Sequence, residues 1–189
     1  VFNMHFPQST DLFYAALRYI KFEELFYLLT LIGIQKKKYS ITKTGIAFHE
    51  IGDTVKSLIR KLPFTLTNAQ KRVLQEIYKD MQKDTPMHRM VQGDVGSGKT
   101  IVALLAMLIA RENGYQTALM APTEILAEQH YYNFKNLLEP FAIEPLLLKG
   151  SQKGTVKKSV LNTLEKDAGA IVVGTHALIQ KGVSFKNLG

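Results

Sequence analysis

Eight residues, Gly93-Asp94-Val95-Gly96-Ser97-Gly98-Lys99-Thr100, constrain this chain more than any others. They fit the pattern G-x-x-x-x-G-K-[ST], and they sit in the setting that pattern requires. The short apolar run Arg89-Met90-Val91-Gln92 comes before them and reads as a strand. The continuous apolar run over 101–110 comes after them and reads as a buried helix. In such a unit the glycines let backbone N–H groups turn inward onto phosphate oxygens. The helix N-terminus adds partial positive charge aimed at the same anion. Lys99 brings a point charge to the β- and γ-phosphates, and the Thr100 hydroxyl is a Mg²⁺ ligand. Gly93 to Thr100 are therefore the candidate triphosphate residues, with Lys99 and Thr100 as the catalytic pair and Thr100 as the metal ligand beside the nucleotide. The structural alternative is a glycine turn that binds nothing, and the flanking strand and helix argue against it.

The chain from residue 62 onward repeats the alternation of strand and helix. Thr67 with Gln70 three residues on forms a capping box, and the helix it starts runs to about Lys83, ended by Asp84-Thr85-Pro86. Asn113-Gly114 stops the helix after the glycine loop. Strands are expected over 116–121, 144–149 and 170–174. Helices are expected from Pro122-Thr123-Glu124 through Leu137, over 155–165, and briefly from Thr175-His176-Ala177-Leu178. Gly182-Val183-Ser184-Phe185 leads toward a further strand. This pattern predicts an α/β fold: the P-loop NTPase parallel sheet with helices on both faces. In such sheets ligands bind at the carboxyl edge of the strands.

Residues 1–61 hold no nucleotide motif and read as a helical linker before a nucleotide domain over 62–189. His5-Phe6-Pro7 is expected to be extended. Ser9-Thr10-Asp11 caps a helix running over about 12–31, with Gly33 as its stop. Its apolar stripe suits packing on a neighbouring domain. The basic run Lys36-Lys37-Lys38 is by default a solvated face, with nucleic-acid contact as the minority alternative. Asp53 opens a short helix to Lys61. The chain starts at Val1 and stops just after Phe185-Lys186-Asn187-Leu188, so it is expected to be part of a longer protein.

Composition narrows the partners. The 189 residues carry 24 Lys and Arg against 16 Asp and Glu, a net charge of +8. That excess suits a polyanion such as DNA, and equally a solvated basic surface. With no cysteine there is no disulfide framework and no thiolate metal site, and the five histidines are scattered. No signal-peptide pattern and no membrane-length apolar run is present. A soluble, cytoplasmic, monomeric protein is expected.

Further candidates flank the loop. Gln70 offers both a donor and an acceptor, as adenine's edge requires, and Phe64, held by Pro63, is placed to stack on a base; the capping box is the structural alternative for Gln70. Pro122 and Thr123 open a helix at the sheet edge, where amides and a hydroxyl can hold a phosphate, or serve only as a cap. Thr175 repeats that arrangement after Gly174. Lys153, Lys157 and Lys158 follow the Gly150-Ser151 turn.

Taken together these residues resemble the first motor lobe of the superfamily 2 helicases, and among them the RecG family. The resemblance is carried by Leu62-Pro63-Phe64, Thr67 and Ala69-Gln70-Lys71-Arg72, by Met90-Val91-Gln92 running into the glycine loop, by Ala121-Pro122-Thr123-Glu124-Ile125-Leu126-Ala127 with Gln129-His130, and by Gly174-Thr175-His176-Ala177-Leu178. His5-Phe6-Pro7 and Phe22-Glu23-Glu24-Leu25-Phe26 are similar to the helical region before that motor. The resemblance implies ATP and Mg²⁺ as cofactors, with Phe64 and Gln70 reading adenine. It also implies that Pro122, Thr123, Gly150, Ser151, Gly174, Thr175 and His176 grip the DNA backbone, although Lys149 stands where the family usually has Thr. The implied activity of the intact protein is ATP-driven remodelling of stalled forks and Holliday junctions in bacterial recombination and repair. No Asp-Glu-x-His or Asp-Glu-x-Gln motif occurs at a strand end in these residues, so the isolated fragment is expected to be inactive. The alternatives are the transcription-repair coupling translocase, against which Ser97 speaks, a P-loop phosphotransferase, and a non-catalytic nucleotide- or DNA-binding module.

Overall fold

The computed structural model describes residues 2–42, 44–152 and 154–189; Lys153 lies outside them. The chain divides into two compact units, Val1–Gly45 and Ile46–Gly189.

The first unit is helical. A single turn, α1 (Phe2–His5), precedes α2 (Thr10–Thr42). The expected extended stretch at His5-Phe6-Pro7 is thus shortened: α1 reaches His5, and Pro7 only forces the residue before it out of the helix. Ser9 caps α2, its Oγ accepting from the Leu12 N–H at 3.3 Å. Gly33 does not stop this helix. No proline follows it, and glycine adopts helical φ as readily as the left-handed value a stop needs, at a cost of about 1 kcal/mol relative to alanine. Lys36, Lys37 and Lys38 ride on the exposed surface of α2, and most of its apolar side chains, Phe22, Leu25, Phe26, Leu28 and Leu29 among them, are exposed too.

The second unit holds the sheet. Its elements are α3 (Asp53–Lys61), α4 (Asn68–Met81), α5 (Lys99–Glu112), β1 (Thr117–Met120), α6 (Glu124–Leu138), β2 (Leu146–Leu148), α7 (Gly154–Lys166) and β3 (Ile171–Gly174), with 3-10 turns at Glu139–Phe141 and His176–Ile179. All three strands are parallel, in the order β1-β3-β2. Central β3 is buried on both faces, which is why Ile171-Val172-Val173 reads as an unbroken apolar run. Ile171 and Val173 join the core built from α3, α4, α5 and α6. Val172 faces the other way, onto Leu148 and the Val160 and Leu164 of α7. Helices therefore cover both faces.

Beyond β1 the chain returns to start another strand. Gln116 forms a parallel bridge with Leu188, its N–H donating to the Asn187 carbonyl at 2.8 Å. The expected strand over Arg89-Met90-Val91-Gln92 is not formed; that stretch is irregular, with Met90 almost fully exposed. A strand is defined by its ladder, and no neighbouring strand among the described residues offers one to this run.

Residues 46–61, grouped by sequence with the linker, pack into the second unit. Phe48, Val55 and Leu58 are in its core, and the Phe48 ring stands edge-on to Tyr115, centroids 5.4 Å apart. The end of α5 ties this segment down. Glu112 accepts from the N–H groups of Gly52 (2.9 Å) and Thr54 (2.7 Å), capping α3 from a distance. Asn113 accepts from the N–H of His49 and of Glu50 and donates to the Glu50 carbonyl.

Candidate nucleotide and nucleic-acid site

The glycine loop runs directly into α5. Gly96 (φ +81°) and Gly98 (φ +80°) occupy left-handed backbone, which only glycine adopts without strain, and Gly98 is the N-cap of α5. The Ser97 N–H closes the turn on the Asp94 carbonyl at 3.2 Å. The Lys99 ammonium lies over the loop, donating to the carbonyls of Gly93 and Asp94, both at 2.7 Å. A triphosphate seated on the loop would meet this ammonium and the first amides of α5 together. The cradle fits a phosphate chain: Asp94, Val95 and Ser97 are exposed around it, and Thr100 sits one residue into the helix. Among the described residues no group of three or more His, Cys, Asp or Glu is placed to hold a metal by itself.

Gln70 joins this loop to α4. Its amide oxygen accepts from the Thr67 N–H at 2.8 Å while the Thr67 hydroxyl accepts from the Gln70 N–H at 3.2 Å, so the capping box forms in full. Its amide nitrogen donates to the Ser97 carbonyl at 2.9 Å. A Cβ at Gly98 would overlap that nitrogen, so a larger residue there would push the Gln70 amide off the loop, and the positive φ favours glycine as well. Ahead of the loop Arg89 bonds Asp80 and Glu76 of α4 at 2.6–2.9 Å. Hydrogen bonds from Lys83 and then Arg89 hold the Asp80 carboxyl below the usual carboxylate range.

Beside Gly98 and Thr100 opens a cavity of about 350 Å³. Phe64, half exposed, lines one side, and Asn133, Asn136 and Leu137 of α6 line another. Sequence reasoning found Phe64 and missed both asparagines. They lie three apart on one face of α6, whose sequence signals are its start at Pro122-Thr123-Glu124 and its apolar spacing.

The three turns expected at the sheet edge are neighbours. Met120 and Leu148 both pair with Gly174. The Ala121 N–H donates to the Gly174 carbonyl at 2.8 Å, and the Thr175 N–H to the Leu148 carbonyl at 3.2 Å. Pro122-Thr123, Gly174-Thr175-His176 and Gly150-Ser151 thus leave one carboxyl edge side by side. A Cβ at Gly174 would overlap the Leu148 carbonyl, which keeps this crossing tight. Pro122, Thr123, Gly150, Ser151 and His176 are exposed, whereas Thr175 is only 8% exposed. Thr123 caps α6, its hydroxyl accepting from the Leu126 N–H at 3.3 Å. Ser151 is engaged: its N–H (3.0 Å) and its hydroxyl (2.5 Å) both donate to the Glu124 carboxylate. Lys149 pairs with Glu128, one turn further along α6. Lys157 and Lys158 lie on α7.

A parallel sheet with helices on both faces and a glycine loop capping a helix define a P-loop nucleotide-binding fold, here with three polar turns along one strand edge. Residues 67–189 match the DEAD/DEAH box helicase family, and the chain belongs to that family. Over nearly its whole length it is similar to the ATP-dependent DNA helicase RecG of Streptococcus pneumoniae, 47% identical over 186 residues, which are 98% of this chain and 27% of the relative. It is 44% identical to RecG of Thermotoga maritima, covering 100% of this chain and 24% of that protein. Among solved structures it is similar to RecG bound to a three-way DNA junction, with a TM-score of 0.89 and 44% identity over 100% of this chain and 26% of that one. A hypothetical ATP-dependent RNA helicase from Sulfolobus tokodaii shares the fold alone, with a TM-score of 0.50 and 20% identity over 71% of this chain and 38% of that one. The chain spans about a quarter of the length of the curated relatives it matches.

Proposed function

We propose that the intact protein is an ATP-dependent DNA helicase that translocates on duplex DNA and remodels branched DNA, stalled forks and Holliday junctions, in bacterial recombination and repair. The observation that best supports this is the likeness to RecG on a three-way junction, which extends over every part of this chain. In this reading residues 62–189 supply the start of the first motor lobe, with residues 46–61 packed onto it, and residues 1–45 are the helical segment before it.

Each site residue then has a physical task. Gly93, Asp94, Val95, Gly96, Ser97 and Gly98 wrap the triphosphate with backbone N–H groups, and Lys99 turns from the Gly93 and Asp94 carbonyls onto the β- and γ-phosphates. Thr100 is the ligand this chain offers to Mg²⁺. Bound Mg²⁺-ATP supplies the phosphoanhydride whose cleavage drives the motor. Phe64 stacks on the base beside the 350 Å³ cavity. Gln70 has spent one amide hydrogen on Ser97 and one lone pair on Thr67. It keeps one of each, and one donor with one acceptor is what the N6/N7 edge of adenine pairs with. Pro122, Thr123, Gly150, Ser151, Gly174, Thr175 and His176 form the phosphate-facing track for DNA. The protein acts as a soluble cytoplasmic monomer; among the described residues no helix is long and apolar enough to cross a membrane.

Lys99→Ala in the intact protein tests the reading. DNA-stimulated ATP hydrolysis is expected to fall to background while affinity for a three-way junction stays near wild type. Loss of both activities together would give Lys99 a structural role and sink the assignment. ATPase stimulation by junction DNA no greater than by linear duplex would favour the transcription-coupled translocase.

A further inference from the structure

The Glu124 carboxylate has no role in the site as described, yet it is among the most heavily bonded acidic groups in the second unit. It stands at the first position of α6, next to the cap residue Thr123, and reaches across to the turn after β2. There it accepts from both donors of Ser151. The turn it grips is closed on itself as well: the Gln152 side chain accepts from the Lys149 N–H at 3.1 Å and donates to the Leu147 carbonyl at 2.8 Å. One helical turn on, Glu128 pairs with Lys149. Two carboxylates on one face of α6 therefore hold the 149–151 turn.

The backbone register explains why such a tie is useful. The ladder fixes where the chain leaves β1, β2 and β3, since Ala121 and Thr175 bond directly to neighbouring strand ends. It does not fix the tips of the turns, which lie two or three residues further on. Tips that must meet successive phosphates of one stiff backbone need a fixed spacing, and a mobile tip would lose ordering entropy on every binding event.

We propose that Glu124 is a positioning residue: its carboxylate clasps the Gly150-Ser151 turn to the N-terminus of α6, presetting the distance between the Pro122-Thr123 and Gly150-Ser151 phosphate contacts. The proposal rests on the reading of these turns as a DNA track. A carboxylate next to a polyanion is repulsive in itself, so its placement here counts as a cost offset by preorganisation. The Ser151 hydroxyl, then the Ser151 N–H, hold the Glu124 carboxyl below the usual range, and Lys149 nearby acts in the same direction. It stays ionised, and the clasp closed, at neutral pH.

The opposing physical account is that Glu124 occupies the place of a phosphate and must be displaced by DNA. The two accounts differ in the sign of one measurement. Binding of a fluorescent three-way junction is measured for the intact protein and for its E124A and E124Q variants, with nucleotide affinity as the control for folding. The clasp predicts that E124A binds about tenfold more weakly, the scale of one or two lost charge-assisted hydrogen bonds. The loss falls on the DNA concentration for half-maximal ATPase and leaves kcat at saturating DNA near wild type. E124Q, which keeps an acceptor at the same place without the charge, restores affinity to wild type or better. E124A binding as tightly as wild type or tighter overturns the clasp, and so does E124Q as weak as E124A. Hydrogen exchange reads the tie without DNA: the Ser151 amide must exchange faster in E124A than in wild type, and unchanged exchange overturns the proposal. A wild-type protein that does not bind the junction overturns the DNA reading itself; binding by wild type with E124A unaffected overturns only the clasp.

Discussion

Gln116 shows how much one buried polar side chain can hold. It is fully buried at the start of β1, and its amide donates to the carbonyls of Leu164 (2.6 Å) and Asp167 (2.8 Å) and accepts from the Asn187 N–H (2.9 Å). One side chain thereby joins the end of α7, the loop before β3 and the returning chain at 187–189. Leucine there would leave the Asn187 N–H without its partner, and the Leu164 and Asp167 carbonyls with only the longer bonds from the Lys186 (3.3 Å) and Ala170 (3.4 Å) N–H groups. We expect Gln116→Leu to destabilise the second unit by roughly 1–3 kcal/mol, the cost of one buried group left unsatisfied. Urea denaturation measures it; a midpoint unchanged from wild type would mean that water reaches these groups. Gln70 belongs to the same scale. Its capping role and its contact with the glycine loop are compatible because the two ends of one amide serve different partners.

At the scale of elements, the helices of the second unit are held at their ends by one another. α3 has no cap of its own, because Gly52 offers no side chain, and Glu112 at the end of α5 takes that place. Removing the carboxylate uncaps α3 and loosens the 46–61 segment from the helix that carries Lys99. Glu112→Ala is expected to cost about 1–2 kcal/mol, the usual range for losing an N-cap. It should speed amide exchange at Gly52 and Thr54 more than anywhere in α4. Equal effects on both helices would show that Glu112 acts through general packing. The tie between Glu124 and the Gly150-Ser151 turn follows the same design, with the first turn of one helix holding a loop from elsewhere.

For the whole molecule the decisive feature is that the glycine loop, the cavity beside Phe64 and the three polar turns all belong to one unit with one sheet. α5 and β1 are consecutive and packed against each other across a tight reversal at Gly114 (φ +84°), so the Lys99 end of α5 lies toward the carboxyl edge of β1, the edge carrying the turns. If both bind where proposed, nucleotide and DNA share the frame of one sheet. If these turns do bind phosphates, junction affinity of the intact protein should fall steeply with salt, with log Kd rising linearly against log salt at a slope near 0.7–0.9 per phosphate neutralised. Titration between low and moderate salt checks it, and a flat dependence would remove the backbone track. The 189-residue chain alone should hydrolyse ATP no faster than background with or without DNA; robust DNA-stimulated turnover by it would show that the residues present suffice.

What could be read from the linear chain was short in range. The capping box at Thr67 and Gln70, the stop at Asn113-Gly114, the cap at Thr123 and the glycine loop itself are patterns over three to eight residues, and their physics is complete within that span. The alternation of apolar runs with helical periods likewise announced a parallel sheet, because strands buried on both faces need unbroken apolar sequence. Interactions whose partners are distant in sequence depended on the folded arrangement. Helix α2 passes Gly33 because nothing after it opposes helix, residues 89–92 form no strand because no ladder partner among the described residues lies beside them, and residues 46–61 join the second unit through Glu112 and Asn113, some sixty positions away. Gln116, the asparagines beside Phe64, and the grip of Glu124 on Ser151 carry no local signature either. A hydrogen bond between residues 27 or 71 positions apart leaves no mark on the spacing of either, and only the packed sheet brings the partners within reach.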